Sequence, residues 1–294
     1  MLYTVRHRTT FRYEQMVSIS HHLLHLTPRS SARQQCLRSE ISVDPAPAMH
    51  TRGEDYFGNA TRHLTISEPH DRFVVEASSL VDVHEDSAGA PHDAGPAWED
   101  VALALESPAV EALEAYEYVF DSQHAVADAA IHDYALRSFT PRRPLLDAAM
   151  DLTARIFSQF EYRGGVSDVA TPVAQVLSMR RGVCQDFAHL QIACLRSLGL
   201  PARYVSGYLL THPPEGQGKL VGADASHAWL SVWSPSTGWV DFDPTNNAVP
   251  GVEHITVGWG RDYGDVSPIN GFIVGGGKHA IAVAVDVNRA PGAG

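Results

Sequence analysis

The chain has 294 residues, a length that suits about two domains, and 44% of them are hydrophobic, enough for ordinary cores. Its formal net charge of −12 disfavours nucleic acid and anionic membrane surfaces, because phosphate binding requires a basic face. No stretch approaches the ~18 consecutive apolar residues of a membrane span. The start, Met1 to His7, alternates like a strand where a signal peptide would carry an apolar core. With three cysteines, an odd number, this fits a reducing cytoplasm better than a disulfide scaffold.

Apolar alternation predicts strands over Leu2 to Tyr13, Val17 to Leu26, Leu37 to Val43, Arg62 to Ile66 and Phe73 to Val83. Residues 1–90 therefore read as a β-rich N-terminal domain, sandwich-like in character. The small, polar, Pro/Gly-rich stretch from Glu85 to Pro96 reads as a linker or a long loop. Residues 97–294 read as a second, α+β domain: a helical layer over 97–160, a core over 161–245 and closing strands over 246–294. Helices are predicted over Ala97 to Leu105, Val110 to Phe120 and Leu145 to Phe160, and a short one from Thr171-Pro172 to about Met179. The histidines His21, His22 and His25 fall in a strand, where neighbours face opposite ways, so they are read as sheet residues and not as metal ligands.

The segment from Arg181 to Leu190 places Cys184 at the first turn of an amphipathic helix, with Phe187, Leu190, Cys194 and Leu198 on one stripe. Gly199 and Pro201 should stop it. A helix N-terminus stabilises a thiolate, and a backbone N–H there can bind an oxyanion forming on an attacked carbonyl. Such a nucleophile needs a base, and the base needs a third group to fix its tautomer. Downstream, Ser226-His227-Ala228-Trp229 opens a strand. After a Pro/Gly turn, Trp239 to Thr245 forms a second, predicting an antiparallel hairpin on which His227 faces a carboxylate. Asp241 and Asp243 are two apart and leave the same face, so the residues alone allow either, with the loop carboxylate Asp224 a weaker rival. Cys194 lies on the buried stripe, and nothing near Cys36 activates it. His189 points away from Cys184 and reads as a packing residue.

The Gly-x-Cys opening a helix, the Ser-His-Ala-Trp strand and the Trp239-x-x-x-Asp243-Pro244-Thr245 strand together resemble the bacterial transglutaminase-like branch of the papain-like cysteine enzymes. Pro201 to Tyr208, His254-Ile255 and Gly260 to Pro268 look like further family segments, and Tyr3-x-Val5-x-His7-x-Thr9 resembles the β-rich N-terminal domain such proteins carry. The resemblance implies a catalytic helix packed on an antiparallel sheet, with Cys184 as nucleophile, His227 as general base and acid, and Asp243 orienting His227. Trp229 and Trp239 are candidate walls against solvent, and Asp241 is a candidate support.

That triad would carry acyl transfer through a thioester on a peptide or protein amide, without a cofactor. Water as acceptor gives hydrolysis, the favoured outcome; a lysine-like amine gives transamidation. A catalytically silent peptide-binding scaffold is the alternative of another class. A zinc site built from Cys184, His227 and Asp243 is chemically feasible but lacks the paired short spacing such sites show. Gly275-Gly276-Gly277 has no following Lys-Ser/Thr and reads as a turn between late strands, not a phosphate loop.

Overall fold

The computed structural model describes residues 1–84, 95–106, 112–212 and 226–290. Its first element, β1 (Leu2–Leu24), is followed by β2 (Gln34–Asp44), β3 (Met49–Glu54), β4 (Ala60–Ile66) and β5 (His70–Val83), in sheet order β2-β5-β1-β4-β3. The two strands expected over 2–26 are one, because an irregularity in the pairing with β5 between Arg12 and Val17 bends β1 without ending it. β3 was not foreseen: all six of its residues are exposed, so there is no apolar alternation to read.

The helical layer contains α1 (Trp98–Leu105), α2 (Leu113–Tyr116) and a one-turn 3₁₀ helix (Glu117–Val119). After it come α3 (Ala129–Leu136) and α4 (Leu145–Gln159). The unforeseen α3 starts at Asp128, whose carboxylate caps the Ile131 N–H at 2.9 Å. The expected linker lies largely outside the described residues, which lack 85–94. Next in order are β6 (Glu161–Tyr162), α5 (Val173–Met179), β7 (Arg181–Gly182) and α6 (Cys184–Arg196). The remainder is β8 (Ala202–Leu209), β9 (Ser226–Ser234), β10 (Gly238–Phe242), β11 (His254–Gly260), α7 (Tyr263–Val266), β12 (Ile269–Gly275) and β13 (His279–Arg289).

The second sheet runs β10-β9-β8-β11 and is antiparallel throughout. Ala202, Tyr204, Ala228, Leu230, Val232 and Phe242 share one core with Phe187, Leu190 and Ile192 of α6 and with α3, α4 and α5. At ~1.5–3 kcal/mol for each fully buried large apolar side chain, this core anchors α6. The helix is buried all round, more than an amphipathic stripe implies, and its polar residues are satisfied inside: Gln191 bonds Thr153 Oγ1 and the Ala149 carbonyl, and Arg196 donates to the carbonyls of Tyr118, Ala202 and Arg261. Gly199, at φ 72°, ends it in the left-handed conformation as expected.

One assignment is corrected by the topology. Residues 246–294 were expected to close the second domain, yet β12 and β13 pair with β1 and make the first sheet seven-stranded. The physical reason is an unprotected edge: β1 would otherwise expose its ladder, and Val285 and Val287 complete a core with Tyr3 and Val5. The three glycines 275–277, all at positive φ, make the turn between β12 and β13. That same core takes in Tyr208, Ile255 and Val257 of the second sheet and Leu210 just past β8, so the two units share buried surface. Two side-chain amides extend the β11 ladder across this junction. Gln34 bonds both the N–H and the carbonyl of Thr256, and Asn59 does the same for Trp259.

Candidate active site

Cys184 opens α6 and is half-buried. The turn that aims it is fixed by short-range polar contacts. Asp186 accepts from the Val183 N–H at 2.7 Å and from Ser167 Oγ at 2.6 Å, closing the helix entry. Burial pushes the Asp186 carboxyl upward, and these two donors offset part of that shift. Gly182 is required here, since a Cβ would meet Asp186 Oδ2 at 2.6 Å. Just upstream, β6 and β7 pair in parallel, Tyr162 against Gly182. The first helical hydrogen bond runs from Phe187 N–H to the Val183 carbonyl, so the N–H groups of Cys184 and Gln185 precede the helical ladder.

His227 lies one residue into β9 and Asp243 one residue past β10, on the hairpin the sequence implies. His227 Nε2 is 2.7 Å from Asp243 Oδ2 and 3.3 Å from Asn246 Nδ2, which leaves Nδ1 as the nitrogen available to Cys184. Burial alone would lower the His227 pKa, but the hydrogen bonds to Asp243 and Cys184 and the charges of both raise it to about 10. Asp243 is fully buried; desolvation would raise its pKa, and His227, His254 and Asn246 overcome this and hold the carboxyl below its ordinary range. The pairing suits a base that receives the thiol proton and returns it to a leaving amine.

Asp243 lies beyond the strand because it turns the chain. It pairs with Ala248 as an isolated bridge, and its Oδ1 accepts the N–H groups of Thr245 and Asn246. Asp241 cannot stand in for it. It sits opposite Ser231, four residues and ~13 Å along β9 from His227, and its oxygens accept from Trp229 Nε1 and Ser231 Oγ. Asp224 lies outside the described residues.

Trp229 is fully buried, 6.0 Å ring to ring from His227, and walls that side of the pair. Gly207, opposite His227 on β8, leaves room for the Trp229 ring, which would lie 2.5 Å from a Cβ there. Trp239 is elsewhere: it packs edge-on to Tyr118 and under Arg203. His189 is a packing residue, stacked on Tyr204 and accepting from the Tyr263 N–H.

Two site residues were not singled out. His254 donates to Asp243 Oδ2 at 3.1 Å and Asn246 Nδ2 donates to the same oxygen at 2.7 Å. The only available signal for His254 was its place in a family segment, and for Asn246 its nearness to Asp243. Among the described residues, His227, Asp243 and His254 form the one trio able to hold a metal ion, with donor atoms within 4.8 Å of one another; Cys184 stands outside it. Both imidazoles already share Asp243 Oδ2, and an ion would have to displace both hydrogen bonds. His21 and His22 lie on opposite faces of β1, stacked on Phe272 and Phe73 respectively.

Residues 3–82 match the bacterial transglutaminase-like N-terminal region, and residues 132–244 match the transglutaminase-like superfamily core. An uncharacterized protein of Mycobacterium tuberculosis is 41% identical over 293 residues, covering 97% of this chain and 92% of its own length, and one of Mycobacterium leprae is 34% identical over 288 residues, covering 97% and 98%. A protein-glutamine gamma-glutamyltransferase of Pseudomonas aeruginosa is 39% identical over 72 residues, 24% of this chain and 11% of that protein. The crystal structure of a "putative cysteine protease" from Cytophaga hutchinsonii has the same fold, with a TM-score of 0.75 at 20% identity, covering 98% of this chain and 90% of that one. On these matches the chain belongs to the transglutaminase-like superfamily, with the bacterial transglutaminase-like N-terminal region ahead of its core.

Proposed function

We propose that the protein is a cysteine-dependent acyl-transfer enzyme acting on a peptide or protein amide, with hydrolysis as its main outcome. The observation that carries this is His227, held at 2.7 Å by a buried carboxylate and near enough to the Cys184 thiol, at a helix N-terminus, for Cys184 to raise the imidazole's pKa. In this reading the Cys184 thiolate attacks the amide carbon, the developing oxyanion meets the Cys184 N–H, and the His227 imidazolium protonates the departing amine. A thioester remains, and His227, now neutral, deprotonates the acceptor. Cys184 is half-buried, not sealed, which supports water as that acceptor.

Transamidation is the second reading, favoured by the match to a protein-glutamine gamma-glutamyltransferase over 24% of the chain. The test is to supply glutamine peptides with and without a lysine-like amine, following ammonia, backbone cleavage and amine incorporation together. Hydrolysis is expected to dominate, and amine incorporation that outpaces it would reverse the assignment. The silent-scaffold reading fails if either product forms and Cys184→Ala stops it.

A further inference from the structure

Among the described residues the first sheet ends on β2, β3, β12 and β13, and these edges differ. β3 carries Arg52, Gly53 and Glu54, β2 carries Arg38 and Glu40 beside an irregularity between Cys36 and Arg38, and β12 contains Gly271 and Gly275. Charges, irregular pairing and glycines all discourage another chain from adding to an edge. β13 has none of these from Ala280 to Val285, a run of Ala-Ile-Ala-Val-Ala-Val. Ile281 and Val283 are 55% and 53% exposed, and β1 is the one strand that pairs with β13 among the described residues.

The ladder shows which backbone groups face outward. Ala290 N–H donates to the Leu2 carbonyl and Glu14 N–H donates to the Lys278 carbonyl, with unbroken pairing in between. Alternate residues of an antiparallel strand bond the same neighbour, so the even-numbered ones serve β1. His279, Ile281, Val283 and Val285 therefore turn their N–H and C=O groups to the open side. Such a row is a template for another strand of high β-propensity.

We propose that the occupant is a second copy of the chain, its β13 antiparallel to this one about a two-fold axis at Ala282, so that two first sheets join into one. The sequence selects that partner and that axis. Reading outward from Ala282, Ile281 meets Val283, Ala280 meets Ala284, His279 meets Val285, and Lys278 meets Asp286. Apolar side chains face apolar ones at the centre, and at each end of the seam a cation meets an anion. Moving the axis to Ile281 or Val283 keeps the hydrogen bonds but sets Lys278 opposite Ala284 or Asn288, and the charge match is lost. Asp286 also lies across from Arg6 of its own sheet; a carboxylate accepts several donors, so the match does not require it to be otherwise unpaired. A two-fold contact of this kind closes on itself, the commonest form of homo-oligomer. One strand pair is a small interface, which sets the dissociation constant in the micromolar range. The seam includes none of the candidate catalytic residues, so the pairing stands or falls apart from the proposed reaction.

Sedimentation velocity of the full chain over about 1 to 100 µM tests this, and a shift from monomer to dimer is expected. Val283→Lys sets a charge against Ile281 of the other copy, at an exposed position, and should weaken the dimer at least about tenfold while leaving the thermal midpoint of the dilute protein unchanged. Ala282→Cys tests the axis: the position lies opposite itself as a non-hydrogen-bonded pair, with Cα atoms ~4.5 Å apart, within reach of a disulfide. Mild oxidation should then cross-link two copies through this position, whereas Ala284→Cys, opposite Ala280, should not cross-link. A monomer throughout the range, a dimer undiminished by Val283→Lys, or Ala284→Cys cross-linking as readily as Ala282→Cys would overturn the proposal. If Val283→Lys does not fold, the two cysteine variants decide.

Discussion

Changing Asp243 to asparagine keeps the side chain's shape and removes its charge, at a position where the structure leaves no slack. The carboxylate is fully buried and accepts five hydrogen bonds: two on Oδ1, from the N–H groups of Thr245 and Asn246, and three on Oδ2, from His227, His254 and Asn246 Nδ2. An amide can retain the first pair, but its NH₂ then faces three donors. His227 would have to give up its Nε2 proton, placing the ring's proton on Nδ1, where it can no longer receive one from Cys184. In triads of this logic the wrong tautomer costs about 10⁴-fold in kcat. Breaking a buried pair by removing one partner costs ~3–5 kcal/mol, and at ~2–4 °C per kcal/mol the thermal midpoint should fall by roughly 6–20 °C. Turnover of a fluorogenic amide and a circular dichroism melt measure both effects. Asp241→Asn is the control, since Asp241 serves Trp229 and Ser231 and its loss should cost less than about tenfold in kcat. An Asp243→Asn enzyme within tenfold of wild type, beside a larger loss in Asp241→Asn, would refute the reasoning.

Iodoacetamide near neutral pH should label Cys184 well ahead of Cys36, whose thiol burial pushes up, and of Cys194, which full burial pushes up to about 12; equal labelling on a peptide map would count against a preformed thiolate. The His227 pKa stands above its unfolded value of ~6.5, so its contribution to stability is complete below that pH and disappears as pH rises through about 10. Over the same range kcat/KM should decline, because a neutral imidazole has no proton for the leaving amine, and a rate still rising past pH 11 would contradict this. Asp243, held below its ordinary range, contributes in the opposite sense: its share is present above an unfolded pKa of ~3.9 and fades on acidification, visible as a falling melting midpoint. His254→Ala removes one of three donors to Asp243 Oδ2 and should lower kcat about tenfold, less than Asp243→Asn; kcat measurements on the pair rank them. Gly182→Ala drives a Cβ into Asp186 and should slow alkylation of Cys184 while costing ~1–3 kcal/mol in denaturant unfolding.

The parts of this site legible in the sequence were those with local signatures. Cys184 stands two residues after Gly182 and opens a helix that Gly199 ends, and His227 sits on a hairpin marked by its Pro/Gly turn; each signal is local in the chain. The choice between Asp241 and Asp243 was not of that kind. It depends on where β10 stops and on the bridge to Ala248, which strand alternation does not encode. The return of β12 and β13 to β1 was equally hidden, because pairing partners more than 240 residues apart leave no mark on periodicity. The helix's own periodicity does not show that Gln191 and Arg196 of α6 are buried, because their partners lie in other elements. His254 reaches the site from a strand whose own pattern says only that it is half-buried.

The central claim is that an acyl group passes through Cys184. Intact-mass spectrometry of the enzyme quenched with acid during turnover of an N-acylglutamine peptide amide tests it directly. The account predicts one added acyl mass that maps to Cys184, and neither adduct nor product in Cys184→Ala; product formed by Cys184→Ala at the wild-type rate would contradict it.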